Sequence, residues 1–424
     1  MARVETMGGG GQGEGGAGAG RVGVWLIGGL GDVAVTAVLG AGALARGLAP
    51  TTGLVTARPP CEGLDLVPLD GLVFGGHDVR EGTPLESARA LAEAGVVPAA
   101  LIEPLREHLL AYGQRLRPGV SFGAGALVRA QEGAAARART ADGPAAALEA
   151  IRADLRAFRA AERLERVVVV AVASTEPVGE LPPAAESAEG LRGLIAAGHA
   201  GLPASLLYAL AAAEEGCPYV NFTPSVGASP AGVQALFAAR GVPHMGQDGK
   251  TGQTLLRTAL APMFLARNLK VLSWAGFNIL GNRDGAVLDE PGANAAKTVG
   301  KDQVLGAILG PELGSSLTRI DYVPSLGDWK TAWDHVHFQG FLGARMKMEV
   351  TWHGCDSALA APLVLDLVRL IELAARRGRS GLQTGLASFF KTPLGTREQA
   401  LPAQLRLFEE WVQGLRAAPA AAPR

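Results

Sequence analysis

The stretch RVGVWLIGGLGDVA, residues 21–34, decides the fold. It opens on an apolar run of β type, turns through glycines, and passes into DVAVTAVLGAGALARG, whose composition is that of a helix. Gly29, Gly31 and Ala34 stand in G-x-G-x-x-A spacing at the junction of strand and helix. Glycines there let backbone N–H groups approach a pyrophosphate at the helix N-terminus, so the junction predicts a dinucleotide turn. In a chain with 58 glycines the spacing alone carries little weight; the strand before it and the helix after it give it meaning.

Outward from this unit, GLVTA at 53–57 reads as a second short strand, followed by strands at LDGLVFG and ERVVVVAVAS. Helical stretches at 85–94 and 143–163 alternate with them. That alternation predicts a parallel sheet with crossover helices. A strand at 53–57 places Thr56 and Arg58 where an acidic residue usually meets the adenosine ribose, which leaves NADP open beside NAD. FGGHDVR, 74–80, reads as another glycine turn, with Asp78 able to accept from a ribose hydroxyl. VASTEP, 172–177, sets Ser174 and Thr175 at a strand's C-terminal end, where open α/β sheets bind ligands. Further on, LKVLSWAGF, HFQGFLG and RMKMEVTW predict a second, more antiparallel sheet, and a long helix begins at 357.

With 424 residues and 48% hydrophobic content the chain can bury a large core. A formal net charge of −1 gives no overall attraction to nucleic acid or to an anionic membrane. Cys61, Cys217 and Cys355 are far apart and in no metal-ligand spacing, as expected of inert thiols in a reducing cytosol. No apolar run approaches the roughly 20 residues of a membrane helix. GGGGQGEGGAGAG, within a leader spanning 1–20, has almost nothing to bury and reads as disordered, as does the tail from 417.

GQDGKTG, 246–252, imitates the end of a nucleotide P-loop, but the glycine required five positions before Gly249 is His244. Its lysine therefore needs another task. Lys250, Lys297, Lys301 and Lys330 lie in short polar or glycine-containing stretches, where a compact ammonium can hold phosphate or balance an oxyanion. Asp248, Asp284, Asp328 and Asp334 share those stretches and can balance the charge or ligate a hard cation. Asn221, Asn278 and Asn282 offer neutral hydrogen bonds suited to a sugar. His335 and His337 read as a structural pair.

Taken in order, VFGGHDVR, CPYVNFTPS, DGKTGQTLLRTALAPMFLARN, NILGNRDGAVL, SLGDWKTAWDHVHFQGFLG and DSALAAPLVLD resemble the myo-inositol-1-phosphate synthase family, particularly its archaeal-type members, across most of residues 21–400. The resemblance implies an α/β protein. Its Rossmann-type NAD-binding domain would occupy 21–245, an inserted α+β catalytic and tetramerisation domain 246–354, and a segment returning to the first domain 355–416. It implies a cytoplasmic homotetramer that converts glucose 6-phosphate to an inositol phosphate with NAD, without nucleic-acid or membrane partners. The catalytic set implied is Lys250, Lys297, Lys301, Lys330 and Asp284. Gly29, Gly31, Asp32, Val33, Ala34, Asp78, Ser174, Thr175, Gly246, Asp248 and Asp328 would hold the cofactor. Asn221, Thr223, Ser225, Thr251, Gly252, Asn278, Asn282 and Asp334 would hold the substrate. Two departures from the family stand out: Arg257 replaces a lysine, and Asp32-Val33 replaces paired asparagines. A carboxylate at 32 makes sense with a divalent cation between it and the pyrophosphate. A sugar-phosphate dehydrogenase and a non-catalytic NAD-binding paralogue are the alternative readings.

Overall fold

A computed structural model of the chain describes residues 20–177, 179–281, 285 and 304–418. Strand β1, Val22–Ile27, is buried along its whole length, and its side chains alternate between two cores. Val22, Val24 and Leu26 face one core, which contains the helices Asp32–Ala45 and Asp356–Arg376; Trp25 and Ile27 face the other, with Pro144–Ala161 and Ala204–Glu214. A strand apolar on both faces belongs in the middle of a helix-covered parallel sheet. The remaining strands of that sheet are β2 (Leu72–Asp78), β3 (Leu116–Pro118), β4 (Arg166–Ala171), β5 (Tyr219–Asn221), β6 (Pro243–Gly246) and β11 (Gly381–Leu382). Their order is β11-β6-β5-β4-β1-β2-β3, with every neighbouring pair parallel. The connections leave β1 toward β2 on one side and resume with β4 on the other, so a crevice opens at the C-terminal ends of β1 and β4.

After β6 the chain runs through the helix Gly252–Ala266 into a second sheet of β7 (Lys270–Leu280), β8 (Ser316–Tyr322), β9 (Trp329–Gln339) and β10 (Arg345–Cys355). The order is β10-β9-β7-β8, antiparallel except for β7 against β8. Phe264, Val271, Trp274 and Val336 pack this helix on one face of the sheet. On the same sheet Phe277 and its cross-strand partner Trp333 are exposed.

Two expectations are corrected. Residues 53–57 do not form a strand: Val55–Ala57 is a 3₁₀ turn whose Val55 and Thr56 N–H groups donate to Asp366 on the long helix at 2.7 and 3.1 Å. Gly75 and Gly76 lie inside β2, not in a turn. The second strand is therefore 72–78, and the acidic residue at its end is Asp78. Thr56 and Arg58 precede that strand, and Thr56 is held against the long helix by Asp366 and Arg369. The helix Leu401–Ala417 carries order to the start of the expected tail. Residues 1–19 of the leader and 419–424 lie outside the described residues. No described helix is long and apolar enough to cross a membrane.

Candidate functional site

The turn after β1 is fixed by its own backbone. Gly28 and Gly29 N–H groups both donate to His77 O at 2.9 Å, and Gly31 N donates to Gly28 O at 3.0 Å. Gly28 sits at φ +88°, in the left-handed region that favours glycine. Asp78 reaches across from the end of β2: its Oδ2 accepts from Leu30 N at 2.7 Å and its Oδ1 from Arg80 N at 2.8 Å. Arg80 Nη2 donates back to Leu30 O at 2.6 Å. Beneath the turn, Trp25 Nε1 donates to His77 Nδ1 at 2.9 Å, which leaves His77 Nε2 to donate to Asp154 at 2.9 Å. Burial pushes the His77 pKa down and favours this neutral form.

Above the turn lies a cavity of about 270 Å³. Gly31, Asp32, Val33, Asp78, Ser174, Thr175 and Asp328 line it, all expected at the cofactor, and Ser225, expected at the substrate, joins them. Gly31 is the N-cap of the helix Asp32–Ala45, so the positive end of that helix opens on the cavity. Gly29 and Ala34 serve packing instead. A Cβ on Gly29 would stand 2.6 Å from Leu116 and 2.7 Å from Tyr112 Oη, and Ala34 is buried in the helix. Asp328 accepts from Cys355 Sγ at 2.9 Å and from Ser357 Oγ; burial first, then Asp32 and Asp356, raise its pKa.

A second cavity, about 110 Å³, abuts the first. The two share Val33, Val172, Ala173, Thr175, Thr223 and Asp356 as a common wall. The second is lined further by Asp248, Thr251, Gln253, Thr254, Lys330 and Lys391. Thr251 is the N-cap of the helix Gly252–Ala266, with Gly252 at φ +53°, so a second helix N-terminus meets two ammonium groups here. That combination can hold an anion, with the carboxylates of Asp356 and Asp248 in the same lining as counter-charges to the two ammonium groups. Lys330 Nζ donates to Asp356 Oδ2 at 3.2 Å and Lys391 Nζ to Asp248 Oδ1 at 2.8 Å.

The structure redirects other expected site residues. Lys250 is 2% exposed, and its ammonium donates to the buried Gln404 of the last helix, away from both cavities. The cause is a ladder between 246–250 and 389–394: Lys250 N donates to Phe389 O at 2.8 Å and Lys391 N to Asp248 O at 2.7 Å, which leaves Lys391 at the cleft and Lys250 inside. Gly246 closes β6 and Asp248 faces the second cavity, not the first. Asn221 spends its amide on Ser225 O (2.7 Å) and on the N–H and hydroxyl of Thr223 (3.1 and 2.8 Å), shaping the turn that presents Thr223. Asn278 and Asp334 lie behind Gln253, donating to it and accepting from it. Asn282, Asp284, Lys297 and Lys301 lie outside the described residues. Among the described residues no three His, Cys, Asp or Glu side chains converge as a metal centre.

Sequence reasoning passed over Arg80, Glu176, Asp356 and Lys391, all at the cavities. For Lys391 a signal existed: FKTPLG is a short polar stretch of the same kind as the other lysine settings.

Burial lowers the Lys250 pKa from 10.5 to about 7. The folded state then binds fewer protons than the unfolded chain between pH 7 and 10.5, so stability gains with rising pH across that window and is fully penalised below it. Lys250→Met is expected to flatten that part of the stability–pH curve and to leave turnover per folded molecule within about threefold, the scale of a residue outside the transition state. Chemical denaturation at pH 7 and pH 10 measures the slope; an unchanged slope would contradict the assignment.

Residues 22–413 match the NAD-binding family described as myo-inositol-1-phosphate synthase. The chain is 35% identical over 411 residues to inositol-3-phosphate synthase 1 of Bacteroides thetaiotaomicron, covering 92% of this chain and 93% of that one. It is 33% identical to inositol-3-phosphate synthase 1 of Rattus norvegicus, covering 78% of this chain and 61% of the rat protein. In fold it is similar to inositol-3-phosphate synthase of Caenorhabditis elegans, with TM-score 0.80 at 24% identity over 95% and 87% of the two chains. The myo-inositol-1-phosphate synthase-related protein of Thermotoga maritima gives TM-score 0.75 at 23% identity over 95% and 100%. With a family match across nearly its whole length and a full-length relative above 30% identity, the chain belongs to the myo-inositol-1-phosphate synthase family.

Proposed function

We propose that the chain is an NAD-dependent isomerase that converts D-glucose 6-phosphate to 1L-myo-inositol 1-phosphate. The observation that carries this reading is the shared wall of the two cavities: a dinucleotide crevice and a lysine-bearing anion cleft meet at Val33, Val172, Ala173, Thr175, Thr223 and Asp356. The helix N-terminus above Gly31, the Asp78-braced turn and the crevice position all fit NAD. Bound NAD supplies a hydride acceptor at carbon 5 of the sugar and returns the hydride at the end.

The chain's own residues do the rest. Thr251, Gln253 and Thr254, at the N-terminus of their helix, hold the substrate phosphate. Carbon 6 loses a proton, the enolate attacks the carbon 1 aldehyde, and both the enolate and the new alkoxide carry negative charge. Lys330 and Lys391, already held in place by Asp356 and Asp248, stabilise those oxyanions. Lys297, Lys301 and Asp284 keep the roles implied by the resemblance. Asp32 and Asp328 face one cavity, and among the described residues no third His, Cys, Asp or Glu joins them as a metal centre.

D-glucose 6-phosphate deuterated at carbon 5 tests the cycle. The inositol phosphate should retain the label, because the hydride leaves and returns within one site; loss of label to a pool of free cofactor would count against it.

The proposed domains are 21–245 for NAD binding, 246–354 for catalysis and assembly, and 355–416 returning to the first sheet, in a cytoplasmic homotetramer. The exposed pair Phe277 and Trp333, with Leu317 nearby in the sheet, supports assembly through the outer face of β7–β9. Trp333→Glu, which sets a charge in that face, should shift the mass in solution to a smaller species. An unchanged mass by light scattering would move the interface elsewhere.

A further inference from the structure

Arg257 stands where the family resemblance leads one to expect a lysine, and it is buried behind the anion cleft. Its Nε donates to Asp334 Oδ1 at 3.1 Å and its Nη1 to Thr318 Oγ1 at 3.0 Å. Trp274 Nε1 donates to the same Asp334 oxygen at 2.7 Å, and Gln253 Nε2 donates to Asp334 Oδ2 at 2.8 Å. Asn278 Nδ2 then donates to Gln253 Oε1 at 2.9 Å. Gln253 and Arg257 are one turn apart on the helix Gly252–Ala266, so both grip the sheet from the end of the helix that faces the cleft.

Space for the guanidinium comes from Gly276, which pairs with Asp334 across the β7–β9 ladder. A Cβ there would stand 2.0 Å from Arg257 Nη2 and 2.6 Å from Gln253 Nε2. The slot and the arginine fit each other. Charge matters as much as shape: a buried carboxylate just behind a phosphate site repels the ligand unless a cation balances it.

We infer that Arg257, seated over Gly276 and paired with Asp334, is the positioning residue that fixes Gln253 and the N-terminus of its helix, and thereby sets the affinity of the second cleft for the phosphoryl group. This rests on the proposed reading of that cleft. Lysine at 257 preserves the charge but lacks the rigid planar fork with which Arg257 meets Asp334 and Thr318 together. Methionine removes the charge, and Gly276→Ala displaces the guanidinium without altering any charge.

Inorganic phosphate and glucose 6-phosphate, titrated calorimetrically into the NAD-loaded parent and into Arg257→Lys, Arg257→Met and Gly276→Ala, test this, with NAD affinity and thermal midpoint followed in parallel. The expected result is phosphate affinity weakened about tenfold or more in Arg257→Met and Gly276→Ala, the scale of a charge-assisted contact, and less in Arg257→Lys, with NAD affinity unchanged in the folded protein. Lowered thermal midpoints with phosphate affinity within twofold of the parent in Arg257→Lys and Gly276→Ala would overturn the inference and leave a purely structural ion pair. A parent that binds phosphate but does not turn over glucose 6-phosphate would sink the proposed reaction while the anchor stands. A parent that binds neither ligand would overturn both.

Discussion

Lys391→Ala is expected to lower kcat about a hundredfold or more, with NAD affinity unchanged within twofold, and Lys330→Ala to do the same. This is the usual scale for removing one preorganised donor to a developing oxyanion. The argument is geometric. Lys391 Nζ is held 2.8 Å from Asp248 and Lys330 Nζ 3.2 Å from Asp356, and both ammonium groups line the small cleft that abuts the dinucleotide cavity. Their carboxylate partners hold each ammonium in place before the substrate arrives. Arginine at either position keeps charge but is bulkier and does not shed a proton, so Lys→Arg should restore little if proton transfer is involved. Steady-state rates at saturating substrate measure the effect. A kcat within fivefold of the parent in both alanine variants would remove the lysines from the chemistry and leave a binding cleft.

Gly28→Val is the second change expected to have a large effect. Gly28 sits at φ +88°, and a Cβ built there would stand 2.7 Å from Ala173 Cα and 2.9 Å from Ala173 N. Those atoms are backbone, so the clash cannot be relieved by rotating a side chain, and a β-branched residue is an outlier at this φ. The forced separation falls between the ends of β1 and β4, which form the floor of the crevice. NAD affinity should drop about a hundredfold, comparable to other losses of a positioned site element, and the thermal midpoint should fall with it. Gly28→Ala retains the same first clash without the branch and should show a smaller loss in the same direction. Parent-like NAD binding by Gly28→Val, followed by fluorescence quenching, would mean that the cofactor lies elsewhere.

The first strand, turn and helix were legible because three local signals coincide within residues 21–45: a run apolar on both faces, glycine spacing and a helical stretch. The second strand was legible in part: LDGLVFG reads as a strand, but an extra one is suggested before it at 53–57 and a turn at its glycines. GLVTA has β-type composition, but its Val55 and Thr56 backbone groups are claimed by Asp366, which is 311 and 310 residues away in the chain. The true strand contains Gly75-Gly76, which locally suggests a turn. Around the anion cleft the polar stretches were found, yet the direction of each side chain was not. Lys330 reaches the cleft, Lys250 turns toward Gln404, and Asn221, Asn278 and Asp334 hold other groups in place. Lys391 meets Asp248 only because residues 143 apart pair across a ladder after the whole second sheet has been inserted between them. Polarity marks a loop as functional; long-range pairing decides which of its side chains sees the ligand.

Incubation of the purified protein with glucose 6-phosphate and NAD at a small fraction of the sugar concentration tests the central claim most directly. The account predicts that glucose 6-phosphate is converted to an inositol monophosphate over many turnovers per NAD, with no net rise in absorbance from NADH, because the hydride returns within one active site. Accumulation of NADH in proportion to sugar consumed, with an oxidised and unclosed product, would contradict it and identify a dehydrogenase.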